Sequence, residues 1–563
     1  MRKFGKAFAA LAAALIATGA LSACGSDDSD SGGGGGAGKT GGDITIAQTS
    51  QPDFLDPALS YTVNGWEPMW LVYTPPVTYA RAEGEAGTKL IPGVAEAMPE
   101  VSEDGKTYTF TIRDGVTFSN GKAVKASDFE HTMKRVLNLE SGGAPFYEVI
   151  VGAEDYIEAG KAEGDISGIE TDDQTGEVTI ELTEPDGSFM NVLAMNFAGV
   201  VPGDTPFKNQ TKTPPPGVGP YELTESVPNR QFVMEKVDGF DVPDIPKGNV
   251  DTITTKIIKS TQRQAQDVIT GKLDYMQDPP PADFKPTVVE QVGPEGSEEQ
   301  RYEEFTTTST YYFFMNHDVP PFDDPAVREA VNIGIDKPAL ARLFGGELAP
   351  GCSFLPPGMP GYDEALDVSD CPFGDPNAAG DVEAARQMIE DAGATGEEVT
   401  VYGNNDDPTD KVTEAYAEQL NEIGLDATPE ILDGGVYFQT VGNAKTEAQT
   451  GFANWFQDFP HPYNFFFLVD GDTIQPTNNQ NFGNVDEPEI TDTIDELLAE
   501  PDLEAVTTDW EDLNRTLVES AAIAPYGHRK LATFVSERID FEATQFHPVY
   551  NNDYTSFALK EGE

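Results

Sequence analysis

The sequence predicts a mixed α/β fold, and three observations carry that expectation. Strand and helix signals alternate along the chain from Asp43 onward, the helical segments bring their own caps, and no repeat period is present. The chain has 563 residues, 38% of them apolar and 10% aromatic, which is long enough for several domains and apolar enough to fold over most of its length.

The first segment stands apart from the rest. Arg2, Lys3 and Lys6 have no acid beside them and precede the apolar run 7–20, which is short for a bilayer span and reads as an export signal. Its end, Leu21-Ser22-Ala23-Cys24, resembles the lipobox of bacterial lipoproteins. That resemblance implies cleavage of residues 1–23 and a diacylated Cys24; ordinary secretory cleavage beside an incidental cysteine is the alternative. Residues 24–42, rich in Gly, Ser and Asp, hold nothing that buries apolar surface and read as a solvated tether.

Strands follow at 43–49, where Ile44 and Ile46 alternate with polar residues, at 107–112 through Tyr108, Phe110 and Ile112, and at 178–182 through Val178, Ile180 and Leu182. Between them, Ser127-Asp128-Phe129-Glu130 reads as a capping box for a helix with Phe129, Met133, Val136 and Leu137 on one face. Asp324-Pro325 supplies an N-cap and a first-turn proline ahead of Val327, Ala330, Val331 and Ile335. Further helices are expected at 381–392, stopping at Gly393; at 409–423, stopping at Gly424; and at 509–522, with Trp510, Leu513 and Leu517 inward. All these stripes are read as core. With Cys24 assigned to lipid, Cys352 and Cys371 remain, and a lone pair outside the cytoplasm reads as a disulfide clamping a loop.

Composition and motifs then exclude function classes. With 97 Asp and Glu against 35 Lys and Arg, a formal charge of −62, the chain is a poor partner for nucleic acid. It holds no His-Glu-x-x-His, no Gly-x-Ser-x-Gly, no Lys-Ser/Thr phosphate loop and no Cys-x-x-Cys. The five histidines, His131, His317, His461, His528 and His547, are scattered without ligand spacing and read as packing or surface residues. No cofactor, metal site or catalytic residue is expected, and an enzyme is disfavoured; a secreted hydrolase and a purely adhesive surface protein are the readings from other classes.

A series of segments is more specific. Leu55-Asp56-Pro57-Ala58, the run from Gly93-Val94-Ala95-Glu96 through Asp104-Gly105-Lys106-Thr107-Tyr108 to Asp128-Phe129, Gly217-Val218-Gly219-Pro220-Tyr221 and Gly271-Lys272-Leu273-Asp274 occur in order. Pro321-Phe322-Asp323-Asp324-Pro325, Asn454-Trp455-Phe456-Gln457-Asp458-Phe459-Pro460 and Ala524-Pro525-Tyr526 continue the series. Together they resemble the family 5 solute-binding proteins of bacterial ABC importers, the peptide- and nickel-binding group, over about residues 43–560. The resemblance implies a periplasmic-binding-protein-like fold of two lobes joined by two hinge strands, with an extra third domain. Lobe I would comprise 43–76, 184–304 and 527–563, the extra domain 77–183, and lobe II 305–526. It further implies a small solute, a peptide or related amine-bearing compound, bound between the lobes and handed to ABC permease subunits. The protein would be a monomer outside the cytoplasm, touching the outer face of the cell membrane through its N-terminal lipid only.

By the same resemblance, Asp458 pairs with a ligand α-ammonium, Asn454, Trp455 and Phe456 run along the ligand as a strand, and Tyr61, Thr62 and Val63 form the opposing edge. The alternative for Asp458 is a turn cap before Pro460. The basic residues that grip a peptide carboxylate in some relatives are not matched, since Phe452 and Gly345 stand at those places. Oligosaccharide binding, with Trp66, Trp70 and Trp455 near the cleft, and nickel-chelate binding are the alternatives within the family.

Overall fold

Three sheets carry the architecture in the computed structural model, which describes residues 40–561 except 140, 161–163, 294–295, 298 and 435. The export signal 1–23, Cys24 and the tether up to residue 39 lie outside the described residues. The N-terminal strand Asp43–Gln48 sits inside a five-stranded sheet, between Tyr275–Met276 and Thr252–Ile257, with Gln231–Lys236 and Tyr221–Val227 beyond. A four-stranded sheet orders Glu100–Val101, Thr107–Thr111, Glu177–Glu181 and Ile169–Asp172. The third sheet has seven strands. Along its path lie Tyr302–Thr306, Ile523–Phe534, Ser309–Met315, Thr450–Phe456, Glu398–Asn404 and Asp426–Leu432, and Leu348–Pro350 pairs with Ile523–Phe534 off that path.

Each sheet is built on the alternation seen in its sequence. In Thr107–Thr111 the buried positions are Tyr108 and Phe110, and Phe129 meets Phe110 edge-on at 5.4 Å, fixing the helix Ala126–Asn138 over that sheet. The capping box is shifted from the expected one. The helix begins after Lys125, whose backbone N–H donates to Asp128 at 2.9 Å, while Ser127, already in the first turn, gives its N–H and hydroxyl to Asp173 at 3.0 and 3.1 Å. Asp324 and Asp381 cap their helices as expected, accepting from Ala326 N and Ala384 N at 2.9 and 3.0 Å. The helix expected from 509 starts six residues earlier, at Leu503, because Leu503 and Val506 extend its inward stripe and Asp502 caps it. Thr409–Glu422 ends before Gly424, whose φ of +109° suits glycine.

The motifs turn out to be joints. Asp56 receives the Arg135 guanidinium in a fork at 3.1 and 2.8 Å, both side chains wholly buried, tying the opening segment to the helix Ala126–Asn138. Asp274 receives Arg538 at 3.0 and 2.9 Å, Ser536 Oγ at 3.0 Å and Thr45 N at 2.8 Å, locking the C-terminal segment to the first strand. At Gly217 and Gly219 a Cβ would stand 2.1 Å from Val72 O and 2.2 Å from Leu71 O, so only glycine lets this segment lie against the end of the helix Val63–Val72.

One strand links two sheets. Ile523–Phe534 pairs antiparallel with Ser309–Met315 over its first half and with Tyr302–Thr306 over its second, and Val535 then bridges Tyr275 of the five-stranded sheet. Tyr302–Thr306 and Ser309–Met315 run alongside it within the seven-stranded sheet.

Cys352 and Cys371 are joined in a disulfide 19 residues apart in sequence. Beside it Asp367 accepts from Cys352 N at 2.6 Å, Ser353 N at 2.8 Å and the Tyr362 hydroxyl at 2.9 Å. Closing a loop of that length restricts the unfolded chain by about 3 kcal/mol. Replacing both cysteines with serine is expected to lower stability by about that amount in urea unfolding, with ligand affinity unchanged; an unmoved midpoint would remove the clamp role.

Candidate functional site

A cavity of about 570 Å³ opens where the strand Thr450–Phe456 ends opposite the start of the helix Val63–Val72. That volume suits a small organic ligand, for which cavities of roughly 300–1,000 Å³ are usual. One wall is Tyr61, Thr62, Val63, Trp66 and Glu67 with Pro548–Asn551; the other is Asn454–Asp458 with Thr307, Thr308, Phe438, Gln480 and Phe482. All seven residues expected to bind a ligand, Tyr61, Thr62, Val63, Asn454, Trp455, Phe456 and Asp458, line this one space.

Thr450–Phe456 is held in register against Ser309–Met315 from Thr450↔Met315 to Phe456↔Ser309, which brings 454–456 to the rim. Just beyond the strand, Asn464 folds the chain back. Its Oδ1 accepts from Asp458 N at 2.7 Å and Trp455 Nε1 at 3.3 Å, and its Nδ2 donates to Asp458 Oδ2 at 3.0 Å. The Tyr61 hydroxyl donates to the same oxygen at 3.0 Å from the opposite wall. Asn464 is therefore the residue that shapes this turn, and the Asp458 carboxylate accepts from two side chains.

Asp458 is 6% exposed, and both of these partners are neutral. Burial pushes its carboxyl up to about 7, against the hydrogen bonds from Asn464 and Tyr61, which pull it down. Burial and the adjacent Asp458 likewise hold the Tyr61 phenol well above its ordinary range, so it is purely a donor here. Its ring stacks on Trp66 at 5.8 Å and meets Phe197 edge-on at 5.3 Å, and Gly142 makes room for it, since a Cβ there would lie 2.6 Å from the ring.

Glu67 is the functional candidate that the sequence reading missed. It is 1% exposed on the cavity wall, and its Oε2 accepts from the Tyr554 hydroxyl and Gln277 Nε2. Burial raises its carboxyl to about 8, opposed by those two bonds and by the Asn552 backbone amide. The sequence offered only an acid set in the apolar stretch 66–72.

Two expectations need correction. Tyr61, Thr62 and Val63 are not a strand edge: Thr62 is the N-cap and Val63 the first residue of a helix, so this wall offers rings and side chains rather than a ladder of backbone groups. Trp70 is not at the cavity; it is buried between Tyr550, stacked at 4.3 Å, and the Arg81 guanidinium, 3.3 Å from its ring centre. Phe452 and Gly345 do not line the cavity either, Phe452 packing inward against Tyr311 and Tyr437. No Lys, Arg or His is among the described lining residues. The five histidines all lie elsewhere; His131 and His317, for example, meet the carbonyls of Thr205 and Ala522 at 2.8 and 3.1 Å. Among the described residues no group of three or more His, Cys, Asp or Glu could hold a metal, and no helix is long and apolar enough to cross a membrane.

The walls touch around the cavity. Besides Tyr61 and Asp458, Gln457 Nε2 donates to Pro548 O, Gly187 N donates to Leu498 O at 2.8 Å, and Phe146 meets Phe459 at 5.9 Å.

Residues 89–476 match the family described as bacterial extracellular solute-binding proteins, family 5 Middle. Among curated proteins, the chain is 27% identical over 405 residues to a dipeptide-binding protein of Escherichia coli (strain K12), covering 67% of this chain and 70% of the relative. It is 26% identical over 412 residues to the oligopeptide-binding protein OppA of Bacillus subtilis (strain 168), covering 70% and 71%. Among solved structures, it superposes with a TM-score of 0.83 and 25% identity on clavulanic acid biosynthesis oligopeptide binding protein 2, covering 94% of this chain and 97% of that one. A periplasmic binding protein DppA from Helicobacter pylori, in complex with the peptide STSA, matches with a TM-score of 0.72 and 19% identity over 93% and 99%. The relatives are named as binding proteins, and the mixed α/β architecture with separate sheets is that of the periplasmic peptide-binding structures.

Proposed function

The chain belongs to family 5 of the bacterial extracellular solute-binding proteins, and from that premise we propose that it captures a peptide or related amine-bearing solute in the cavity and delivers it to an ABC permease. The single observation that carries the ligand class is Asp458, a buried carboxylate bonded to two neutral donors on a cavity wall. A charge buried without a counter-ion costs several kcal/mol, and a ligand ammonium supplies the missing one. Both bonds fall on Oδ2, which leaves Oδ1 for the ligand. The aromatic rings of Trp66, Trp455 and Phe456 provide apolar contact that does not depend on side-chain identity.

The lobes proposed for closure are 43–76 with 184–304 and 527–563 on one side, and 305–526 on the other, with 77–183 as an added domain. The run of Ile523–Phe534 out of the seven-stranded sheet into the Val535 bridge with Tyr275 of the five-stranded sheet supports a hinge there, and the contact of Tyr61 with Asp458 across the cavity supports a closed arrangement. Cys24 is proposed as the lipid anchor, with the acidic body held above an anionic membrane surface. Replacing Cys24 with alanine is the check: the chain should pass from the membrane fraction into the surrounding medium, and continued membrane retention would end the proposal.

Titration calorimetry with Ala-Ala-Ala and its N-acetylated form tests the ligand class. The free amine should bind and the acetylated form should bind at least tenfold more weakly; equal affinities, or no binding of either, would overturn the reading.

A further inference from the structure

Both walls of the cavity keep apolar surface uncovered. Among the described residues eight large apolar side chains stay exposed, and Phe438, at 38%, is the one aromatic ring in that set. It lies on one wall, and Val63, exposed to 39%, lies on the other. The walls already touch where Tyr61 meets Asp458 and Gln457 meets Pro548, so their own contacts do not cover these two residues. A scattered apolar side chain on an outer surface is ordinary; an aromatic ring open to a cavity is a contact surface for what the cavity holds.

Phe438 is held from behind. Its ring stacks on Phe482 at 5.7 Å with the planes 20° apart and meets Tyr437 edge-on at 5.0 Å. The Tyr437 hydroxyl donates to Phe452 O at 2.6 Å, and Phe482 lies 5.8 Å from the ring of Phe314, whose register partner is Gly451. The stacked pair therefore stands beside positions 451 and 452 of the strand Thr450–Phe456, whereas Asp458 stands past its other end. From Phe452 to Phe456 the strand advances about 13 Å at its usual rise. In an extended peptide whose ammonium meets Asp458, the third Cα lies about 8 Å along, and an aromatic side chain covers the rest. No charge comes with the pair. The acids on the cavity, Glu67 and Asp458, belong to the helix Val63–Val72 and to the turn after the strand.

We infer that Phe438 and Phe482 form a subsite for an aromatic side chain at the third residue of a bound peptide, and that this subsite sets the preference among amine-bearing ligands. This rests on the amine-anchor reading of Asp458 given above. Covering Phe438 with a ligand ring removes apolar surface of both from water, and ring-on-ring geometry favours an aromatic group over an aliphatic one. A polar side chain in the same place would lose its hydration against rings that offer no hydrogen bond. Trp66, Trp455 and Phe456 contact the ligand whatever its sequence, and the stacked pair reads one position of it.

Titration calorimetry of the purified chain with Ala-Ala-Phe, Ala-Phe-Ala and Ala-Ala-Gln tests the inference. Ala-Ala-Phe is expected to bind at least tenfold tighter than Ala-Ala-Gln, and tighter than Ala-Phe-Ala, which has the same composition. Phe438→Ala should shrink the ratio between Ala-Ala-Phe and Ala-Ala-Gln several-fold. Equal affinities for those two peptides overturn the inference while the amine-anchor reading stands, as does an Ala-Phe-Ala that binds as well as Ala-Ala-Phe or a Phe438→Ala variant that keeps the full ratio. If none of the three peptides binds, the amine-anchor reading falls and this inference with it. Should Phe438→Ala fail to fold, Phe438→Leu, which keeps apolar bulk and removes the ring, takes its place, and an unchanged ratio there overturns the inference.

Discussion

Asp458→Asn is expected to weaken amine binding at least tenfold and, in the same protein, to raise stability at alkaline pH. The binding loss follows from removing the counter-charge and should be at least tenfold for any free-amine ligand. The stability gain follows from linkage. The carboxyl is lifted from 3.8 to about 7 in the folded state, so the folded protein keeps a proton that the unfolded chain has already released. Stability associated with that group is fully present below about pH 4, falls as the pH rises toward 7, and stays lost above it. A shift of that size corresponds to about 4 kcal/mol at 1.36 kcal/mol per unit. The neutral amide escapes this loss, so the variant should melt higher than the parent at pH 8 and together with it at pH 4. Thermal melts at the two pH values check the stability arm and calorimetry checks the binding arm. A variant that binds like the parent, or melts no higher at pH 8, would contradict the account. The physical content is that the empty cavity stores unfavourable electrostatics that a cation relieves, so the ligand contributes to closure as well as filling space.

The same energetics explain which parts of the molecule could be read from sequence. Periodicity located the strands because alternation at Tyr108 and Phe110, or Ile44 and Ile46, is a local signal that burial later respects. Helix starts were legible where an Asp side chain caps, as at Asp324 and Asp381, and slipped where a side chain found a distant partner, as Ser127 did in Asp173. The cavity residues were legible only through resemblance; in the structure Asn454-Trp455-Phe456 closes a strand whose register against Ser309–Met315 brings it to the rim. Glu67 was not, since its meaning depends on Gln277 and Tyr554, 210 and 487 residues away in sequence. Likewise nothing local distinguishes Trp66, on the cavity, from Trp70, one helical turn on and sealed beneath Tyr550.

Arg135→Met is expected to be the most destabilising single change outside the cavity. The guanidinium fills a fully buried site, donating to both Asp56 oxygens and to Pro206 O at 3.2 Å. Removing it strands a buried carboxylate that still accepts from Gln210 N at 2.8 Å and Ala58 N at 3.2 Å, and breaking one side of such a pair costs about 3–5 kcal/mol. Asp56→Asn added to Arg135→Met removes the stranded charge and should recover part of the loss, which distinguishes the charge from simple loss of packing. The change should also reach the ligand. Leu59 and Ser60 donate their backbone N–H groups to Asp56 O, and Asp53 in the same loop accepts from Tyr61 N at 2.8 Å and Thr62 Oγ1 at 3.0 Å, so this loop presents Tyr61 to Asp458. Urea unfolding of the single and double variants measures the first effect, and calorimetry with a free-amine peptide at a temperature where the variant is folded measures the second. A loss below about 1 kcal/mol would place Asp56–Arg135 among the ion pairs that contribute little, and unchanged affinity would show that Tyr61 is held on the cavity without this joint.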